Sequence, residues 1–491
     1  MKTRKRNWLP GFLAIILLVG IPVWYFTGTA ESNVDTPWEH MPRRPAHVDH
    51  KDLFAGFGEL KTGPEVTAAC LSCHEDAGEQ VLHTAHWRWE SEPVEVAGRE
   101  GLFTTGKKKS INNFCIGIQG NWASCTACHA GYGWDDADFD FENQGNIDCL
   151  ACHDNSGMYR KGKAGLPAEG VDLLASAQSV GVPTRQNCGG CHFRGGGGNA
   201  VKHGDLDESL YFPTEGIDVH MGRFNFQCVD CHQTRDHVIG GRSTTVSLDN
   251  ENQIACRDCH NPKLHSDDRI NAHTDTLACQ TCHVPEIAVK QATKTHWDWS
   301  TAGDDTREES THEYLKIKGS FIYEKNLKPE YRWSNGLADR YLMGDRINTN
   351  GSTALNAPRG DIRDPNARIW PFKIHRAKQP YDVEYEYLLQ PVTSGQGGFW
   401  SEFNWDQAFR LGEEISGRPY SGKYDFAATE MYWPSTHMVA VKEKALQCQA
   451  CHSENGRMDW QALGYDGDPI LQGSVTRKRI VDMQQAANNE Q

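Results

Sequence analysis

One long apolar run near the N-terminus interrupts an otherwise broken pattern of hydrophobic and polar positions. Residues Trp8–Phe26 are almost entirely apolar, and four basic residues come before them, Lys2, Arg4, Lys5 and Arg6. A run of this length can cross a bilayer as a helix, although it is near the lower limit. The basic flank favours a cytoplasmic N-terminus, with the rest of the chain on the other side. The pattern therefore predicts a transmembrane anchor within residues 1–30.

A cleaved signal peptide is the alternative for the same run. Gly28 and Ala30 are small residues of the kind found at a cleavage site, which would fall after Ala30. The apolar run is long for a signal peptide, and this favours the uncleaved anchor. Both interpretations place the remainder of the chain outside the cytoplasm.

The chain after this run divides by its polarity into three further parts. Residues 31–61 are polar and contain prolines, which indicates a linker; residues 62–476 form the main domain, and residues 477–491 form a flexible tail. No strand-rich region stands out in the main domain. The interval 284–447, rich in Trp, Tyr and Arg, is predicted to be helical and irregular, with a helix that begins at Pro434 and Ser435 and continues to Leu446. The predicted fold class is mainly α with much irregular structure.

A five-residue pattern, Cys-x-x-Cys-His, occurs eight times in the main domain. Two thiols at this spacing add to the two vinyl groups of one haem, and the next histidine supplies the proximal iron ligand. The sequence therefore predicts eight covalently attached c-type haems. In chain order the motifs are Cys70, Cys73 and His74; Cys125, Cys128 and His129; Cys149, Cys152 and His153; Cys188, Cys191 and His192; Cys228, Cys231 and His232; Cys256, Cys259 and His260; Cys279, Cys282 and His283; Cys448, Cys451 and His452.

Zinc sites and disulfide bonds are the alternatives for paired cysteines at this spacing. Neither requires a histidine directly after the second cysteine, yet all eight repeats have one. The repeat therefore favours haem attachment. In bacteria this attachment takes place on the outer side of the inner membrane. The predicted location is thus the inner membrane, with the haem domain in the periplasm or on the outer face.

Composition and charge agree with an interior filled by cofactors. Only 38% of the 491 residues are apolar, which is low for a chain that must build its own cores. Haem macrocycles can supply the missing apolar surface. The net charge of −15 argues against nucleic acid as a partner and repels anionic substrates at long range. A reductase of anions would need a local basic funnel, for which Lys107, Lys108 and Lys109 are candidates.

Distal haem ligands must come from outside the repeated motifs. Fourteen histidines lie there, more than eight haems need, so counting alone identifies no open haem. Those in compact contexts close to a motif are the predicted distal ligands, namely His86, His220, His237, His265, His273, His375 and His437. His203 is the reserve candidate, and a surface histidine is the alternative for each.

Cys115 is the one cysteine of seventeen that no motif uses. It lies ten residues before Cys125, close enough for the chain to fold back over the second haem. A lone thiol outside the cytoplasm is exposed to oxidation. The alternative is a buried small hydrophobic residue, which free cysteine often is.

The repeats, the long gap before the last one and three further segments resemble the octahaem tetrathionate reductase family. The segments are Cys115 ahead of CTACHAGYGW, the glycine-rich CHFRGGGGNAVKHGDL, and CQTCHVPEIA. The similarity extends from about His47 to Pro469. That family is related to octahaem hydroxylamine oxidoreductases and pentahaem nitrite reductases, although this chain has no CxxCK motif. The resemblance implies a mostly α-helical multihaem cytochrome c fold.

The resemblance also implies a distinct second haem. Seven haems would have two histidines, whereas the second would have a lysine on its distal side and a cysteine sulfur nearby. Lys202 is the first choice, because the four glycines Gly195–Gly198 let the backbone approach a haem face. Lys161 and Lys163 are alternatives. A lysine ligates iron as the neutral amine, a form that burial favours. The expected catalytic residues are therefore Lys202, Cys115 and His129.

The function that this resemblance implies is reduction of a small sulfur or nitrogen compound, either tetrathionate, nitrite or hydroxylamine. The electrons would come from a quinol-oxidising system or a small donor cytochrome. An electron conduit without its own substrate and an oxidase of hydroxylamine are the alternatives. A homo-oligomer is compatible with the sequence.

Overall fold

The computed structural model describes residues 48–96, 99–114, 117–243, 247, 251–261, 263–471, 477 and 480–481. The predicted membrane anchor, most of the predicted linker and Cys115 lie outside these residues. Within the described ranges, no helix has both the length and the apolar character needed to cross a membrane.

Short helices dominate the part of the chain that carries the haem motifs. The second of them, Gly63–Leu71, is capped by reciprocal hydrogen bonds between Thr62 and Glu65 and delivers Cys70 at its end. The α-helices are α1 (His50–Leu53), α2 (Gly63–Leu71), α3 (Ala77–Leu82), α4 (Ala85–Arg88), α5 (Trp122–Cys125), α6 (Leu150–His153), α7 (Leu173–Gln178), α8 (Arg185–His192), α9 (Val219–Arg223), α10 (Cys228–Cys231), α11 (Asp268–His273), α12 (Cys279–His283), α13 (Phe399–Glu402), α14 (Trp405–Ser416) and α15 (Cys448–Cys451). Single 3₁₀ turns lie at Phe54–Gly56, Thr126–Cys128, Gln144–Asn146, Lys163–Gly165, Glu208–Leu210, Cys256–Asp258, Trp299–Thr301 and Lys442–Lys444.

A seven-stranded mixed sheet occupies the interval between the seventh and the eighth motif. Its strands run in the order β6-β7-β5-β10-β11-β9, and β8 pairs with β10 beside this path. Two small hairpins, β1–β2 and β3–β4, lie elsewhere. The strands are β1 (Val94–Glu95), β2 (Leu102–Phe103), β3 (Thr234–Arg235), β4 (Val238–Ile239), β5 (Thr293–Asp298), β6 (Tyr314–Leu315), β7 (Gly319–Glu324), β8 (Glu330–Ser334), β9 (Thr353–Ala354), β10 (Arg368–Asp382) and β11 (Tyr424–Pro434).

Strand β10 is the centre of this sheet. It pairs antiparallel with β11 and β8 and parallel with β5. The register with β11 places Lys373 opposite Trp433 and His375 opposite Met431. Lys373 and Ile374, which point to opposite faces, are both buried, so this part of the sheet is covered on both faces.

The largest polypeptide core packs between this sheet and α14. Its members include the stacked pair Trp297 and Trp299, with ring centroids 4.4 Å apart, and the stacked pair Phe399 and Trp405, at 3.6 Å. Phe409 of α14 completes the stack on Trp405, at 5.4 Å. This core contains no haem motif, so ordinary side-chain packing stabilises this half of the protein.

The prediction of a mainly α fold without a strand-rich region is wrong for the interval 284–447. Its many aromatic residues, taken as packing for irregular structure, have a high propensity for strands. The expected alternation of polar and apolar residues is weak, because β10 is buried on both faces along much of its length. A sequence without this alternation gives little sign of a strand.

The prediction of a helix that begins at Pro434 is also wrong. Pro434 is the last residue of β11, and the next amide, that of Ser435, still donates across the sheet to Pro371 O at 2.9 Å. Met438 then adopts a φ of 57°, which a right-handed helix cannot contain. Only the single 3₁₀ turn Lys442–Lys444 forms before the last motif.

Candidate functional site

Most of the repeated motifs fold as a single helical turn. The amide of the histidine donates to the carbonyl of the first cysteine, four residues earlier, at 2.9 Å for His74 and Cys70. The same bond forms at His153, His232, His260 and His452, at 3.0, 2.8, 2.9 and 2.8 Å respectively. One turn brings both cysteines and the histidine to the same side of the backbone.

All of the motif cysteines and histidines line one continuous cavity of about 4590 Å³. Shared among the eight motifs, this volume is about 570 Å³ each. Cofactor and ligand sites have volumes of roughly 300–1,000 Å³. The cavity therefore has the size that eight attached macrocycles need.

Seven motif histidines face a second histidine across this cavity. An iron between two imidazoles, with metal–nitrogen bonds of about 2 Å on each side, places the ring centroids roughly 6 Å apart. The observed pairs and centroid distances are His74 with His50 at 6.3 Å, His153 with His237 at 6.5 Å, His192 with His86 at 6.0 Å, His232 with His437 at 6.3 Å, His260 with His220 at 6.0 Å, His283 with His265 at 6.2 Å and His452 with His273 at 6.4 Å. These spacings fit haem iron with two axial histidines.

Hydrogen bonds fix the orientation of several of these rings. Nδ1 of His153, His232 and His452 lies 3.0, 2.8 and 2.7 Å from Gly181 O, Gly240 O and an Asp468 carboxylate oxygen. This arrangement leaves Nε2 for iron, as outer partners of metal-bound histidines usually do. Burial lowers the pKa of His192 to about 3, so its imidazole is neutral, the form that ligates metal.

Six of the predicted distal ligands, His86, His220, His237, His265, His273 and His437, are therefore opposite a motif histidine. The structure brings a seventh, His50, to His74, although His50 was not among the predicted ligands. It lies in the polar segment before the first motif, where nothing in the sequence separates it from His40 and His47.

His375 is a correction to the predicted ligand set. It lies fully buried in β10, away from the cavity lining, with Nδ1 3.0 Å from the side-chain oxygen of Asn113. The reserve candidate His203 does line the cavity, but its ring packs against Trp433, with centroids 5.2 Å apart. Neither ring is paired with a motif histidine among the described residues.

Sulfur atoms of different motifs lie next to one another. Cys128 of the second motif is beside Cys191 of the fourth. The same contact joins Cys70 to Cys149, Cys188 to Cys228, and Cys256 to Cys279. The haem positions are therefore neighbours in one shared interior.

His129, in the second motif, differs from the other motif histidines. Its amide donates to Thr126 O at 2.8 Å, so the motif ends in a 3₁₀ turn. Its buried ring lies among aromatic side chains, 4.8 Å from Trp134 and 5.0 Å from Trp87. Nε2 lies 2.7 Å from Trp87 O, so ligation through Nε2 requires this contact to break. Among the described residues, no histidine ring faces His129 at the spacing found for the other motifs.

Lys202 lines the cavity close to this second motif. Its Nζ lies 4.4 Å from the centroid of the Trp433 ring, and its side chain passes beside Gly195. Burial lowers the pKa of Lys202 to about 8, and the positive charge of Lys107 adds to this effect. The amine of Lys202 is within electrostatic reach of the second motif.

The two alternative lysines have other environments. Lys161 forms an ion pair with the buried Asp148 and donates to Gly165 O at 2.8 Å. Lys163 is exposed. This leaves Lys202 as the lysine of the three whose side chain enters the cavity without a carboxylate partner among the described residues.

Of the three lysines suggested as a basic funnel, one lines the cavity. Lys107 Nζ lies 3.5 Å above the ring of Trp89. Lys108 pairs with Glu90 at 2.8 Å, and Lys109 is outside the cavity lining. Lys107 and Lys202 both lie within electrostatic range of Cys128 in the second motif.

An apolar cavity lined by repeated Cys-x-x-Cys-His turns and paired imidazoles defines a multihaem c-type cytochrome. Two family models match the chain, "Cytochrome c7 and related cytochrome c" over residues 214–292 and "Cytochrome c bacterial" over residues 294–455. The crystal structure of octaheme cytochrome c from Shewanella oneidensis is 48% identical, with a TM-score of 0.82, and the match covers 87% of this chain and 99% of that one. An uncharacterized protein of Archaeoglobus fulgidus is 27% identical over 40% of this chain and 82% of its own length.

The chain belongs to the octahaem c-type cytochromes. It carries eight covalently attached c-type haems, as the motifs predict. The predicted multihaem cytochrome c fold is thereby confirmed, and the haem domain is extracytoplasmic.

The number of haems can be measured directly. We expect the intact mass after denaturation to exceed that of the polypeptide by eight haems, because thioether bonds survive unfolding. Replacing Cys448 and Cys451 by alanine should lower this excess by one haem. A smaller excess in the unmodified protein, or a metal content dominated by zinc, would contradict the assignment.

Proposed function

We propose that this protein is a multihaem reductase that transfers electrons to a small sulfur or nitrogen compound at the second motif. The candidate substrates are tetrathionate, nitrite and hydroxylamine. His129 and Lys202 are the side chains that would hold the haem at this reaction site. Haems attached to the motifs supply one-electron redox chemistry, while the chain sets their axial ligands and surroundings.

The observation that carries this proposal is the difference between His129 and the other motif histidines. Two imidazoles occupy both faces of an iron and leave no position for a substrate. Seven motifs have such a pair, and the second has none among the described residues. A lysine amine is a more exchangeable partner than an imidazole, because protonation removes its ability to bind iron.

The charges near the second motif support an anionic substrate. In a chain with a net charge of −15, Lys107 and Lys202 lie at the same part of the cavity. Among the described residues, no carboxylate pairs with either side chain. Because Lys202 as a ligand is the neutral amine, the positive charge of Lys107 is the one that favours the entry of an anion over that of a neutral molecule. Tetrathionate and nitrite fit this requirement better than hydroxylamine does.

The remaining parts of the proposal concern delivery of electrons. A quinol-oxidising system or a small cytochrome is the proposed donor. Attachment to the inner membrane through residues 1–30 would keep the haem domain beside such a donor. Neighbouring motifs contact one another throughout the cavity. An electron that enters at any haem can therefore move through adjacent haems to the one at the second motif.

A turnover assay tests this function. The fully reduced protein should be reoxidised by at least one of tetrathionate, nitrite and hydroxylamine. Lys107→Gln should raise the KM for an anionic substrate about tenfold, since a hydrogen bond to a charged group contributes about 1.5–3 kcal/mol. The KM for hydroxylamine should stay unchanged.

Lys109→Gln is the matched control, because it removes the same charge from outside the cavity lining. It should leave every KM unchanged. An equal effect of Lys107→Gln and Lys109→Gln would contradict the anion site. If none of the three compounds reoxidises the haems, the protein is an electron conduit without a substrate of its own.

A further inference from the structure

The side chain of Lys373 ends at the backbone of the segment that carries Lys202. Lys373 lies in β10 and is 3% exposed. Its Nζ donates to Val201 O at 2.7 Å and to Lys202 O at 3.1 Å, and it lies 2.5 Å from Thr293 Oγ1. These three contacts satisfy the hydrogen-bonding capacity of the buried amine, so Lys373 has a structural role.

Thr293 contacts the carbonyl groups on either side of the two that Lys373 binds. It is the first residue of β5 and is fully buried. Its Oγ1 lies 2.6 Å from Ala200 O and 3.1 Å from His203 O. Together with Lys373, it reaches four consecutive carbonyl groups, those of residues 200–203. We call Lys373 and Thr293 the carbonyl clamp.

The segment of residues 200–203 needs such support because part of its backbone has an unfavourable conformation. Ala200 adopts a φ of 56°, a left-handed conformation that is uncommon for residues with a Cβ. It lies two residues after the run Gly195–Gly198, in which Gly196 and Gly197 also have positive φ. A flexible glycine run followed by a strained residue does not hold one conformation by itself.

We propose that the carbonyl clamp is a positioning device that fixes the direction of the Lys202 side chain into the haem cavity. The inference rests on the proposed function, because it assigns the clamp to the site where Lys202 acts. The sheet supplies the rigid part of the device: β5 and β10 are hydrogen-bonded neighbours, so Thr293 and Lys373 are held in one frame.

The contacts of Lys373 with the two carbonyl groups form in either protonation state of its amine. Burial lowers the pKa of Lys373 well below its ordinary value. As an ammonium group it donates to Val201 O, Lys202 O and Thr293 Oγ1, which leaves the one Thr293 hydroxyl proton for Ala200 O or His203 O; as a neutral amine it still donates to the carbonyl groups of Val201 and Lys202. The device therefore depends on the donor groups and their positions.

Hydrogen exchange in the haem-loaded protein tests the clamp without reference to activity. In Lys373→Met and Thr293→Val, amides of residues 194–204 should exchange about fivefold to tenfold faster, the effect of losing roughly one or two buried hydrogen bonds. Thr293→Ser, which keeps the hydroxyl, should exchange at the original rate. Lys294→Met is the control for losing a buried lysine, because that side chain points into the ring of Trp297, at 3.5 Å.

A second measurement connects the clamp to the site. Lys373→Met should change the absorption and EPR spectrum of the same haem that Lys202→Ala changes, and turnover should fall by up to about 10²-fold through kcat, as a displaced catalytic group does. Unchanged exchange in Lys373→Met, or equally faster exchange in Lys294→Met, would overturn the clamp. If Lys202→Ala alters no haem, the ligand role of Lys202 fails, and the exchange rates alone decide on the clamp.

Discussion

Turnover with the physiological substrate is expected to fall by on the order of 10²-fold or more when Lys202 is replaced by alanine, the usual size of a lost proton donor at a reaction site. Lys202 is buried within electrostatic range of Cys128 in the second motif, and no histidine ring among the described residues faces His129. The spectrum should show altered ligation at one haem and no change at the others.

Lys163→Ala is the control for this variant. Lys163 follows the third motif and is an alternative ligand by sequence, but its side chain is exposed. It should leave both turnover and spectrum unchanged. A normal spectrum in Lys202→Ala, or a changed one in Lys163→Ala, would show that the site has been assigned to the wrong lysine.

Replacing His50 by leucine is expected to convert one haem from two axial histidines to one. The reason is the spacing of 6.3 Å between the rings of His50 and His74. A five-coordinate, high-spin signal should appear in the oxidised protein, equivalent to one haem. EPR and absorption spectroscopy measure it.

His375→Leu is the matched variant, because His375 was a predicted ligand that the structure places in β10. Its ring nitrogen contacts Asn113 at 3.0 Å, and all eight haem signals should keep their ligation. A high-spin haem in His375→Leu but not in His50→Leu would reverse this assignment.

The haem attachment sites could be predicted from the sequence because their chemistry is local. Two thiols and one imidazole within five residues define each motif, and a single helical turn is enough to present them. Distal ligands are different, since each belongs to the fold. His237 lies five residues after His232, yet it faces His153, while His232 is paired with His437 from the far end of the chain.

The seven-stranded sheet could not be predicted from the sequence because its pattern, like the distal ligands, depends on the fold. A strand that is covered on both faces loses the alternation by which sequence reasoning finds it, and β10 is such a strand. The carbonyl clamp depends on this sheet, so it was also beyond prediction. Lys202 was chosen for its glycine-rich neighbourhood once the resemblance implied a lysine, and the structure places it in the cavity lining, but Lys373 is distant from it in sequence and carries no local sign of its role.

The uneven distribution of motifs has a consequence for how the protein is assembled. A dry cavity costs roughly 20–25 cal/mol per Å³, so the polypeptide cannot compensate for an interior of about 4590 Å³ with a typical total stability of about 5–15 kcal/mol. The motif-bearing half therefore cannot become compact before its cofactors are attached. The sheet and α14 contain no attachment site, and their apolar core takes Ile111, Phe114 and Val201 from the motif-bearing part. Completion of this core is therefore coupled to haem attachment, and the enzyme that attaches haem must work on a chain that is still open.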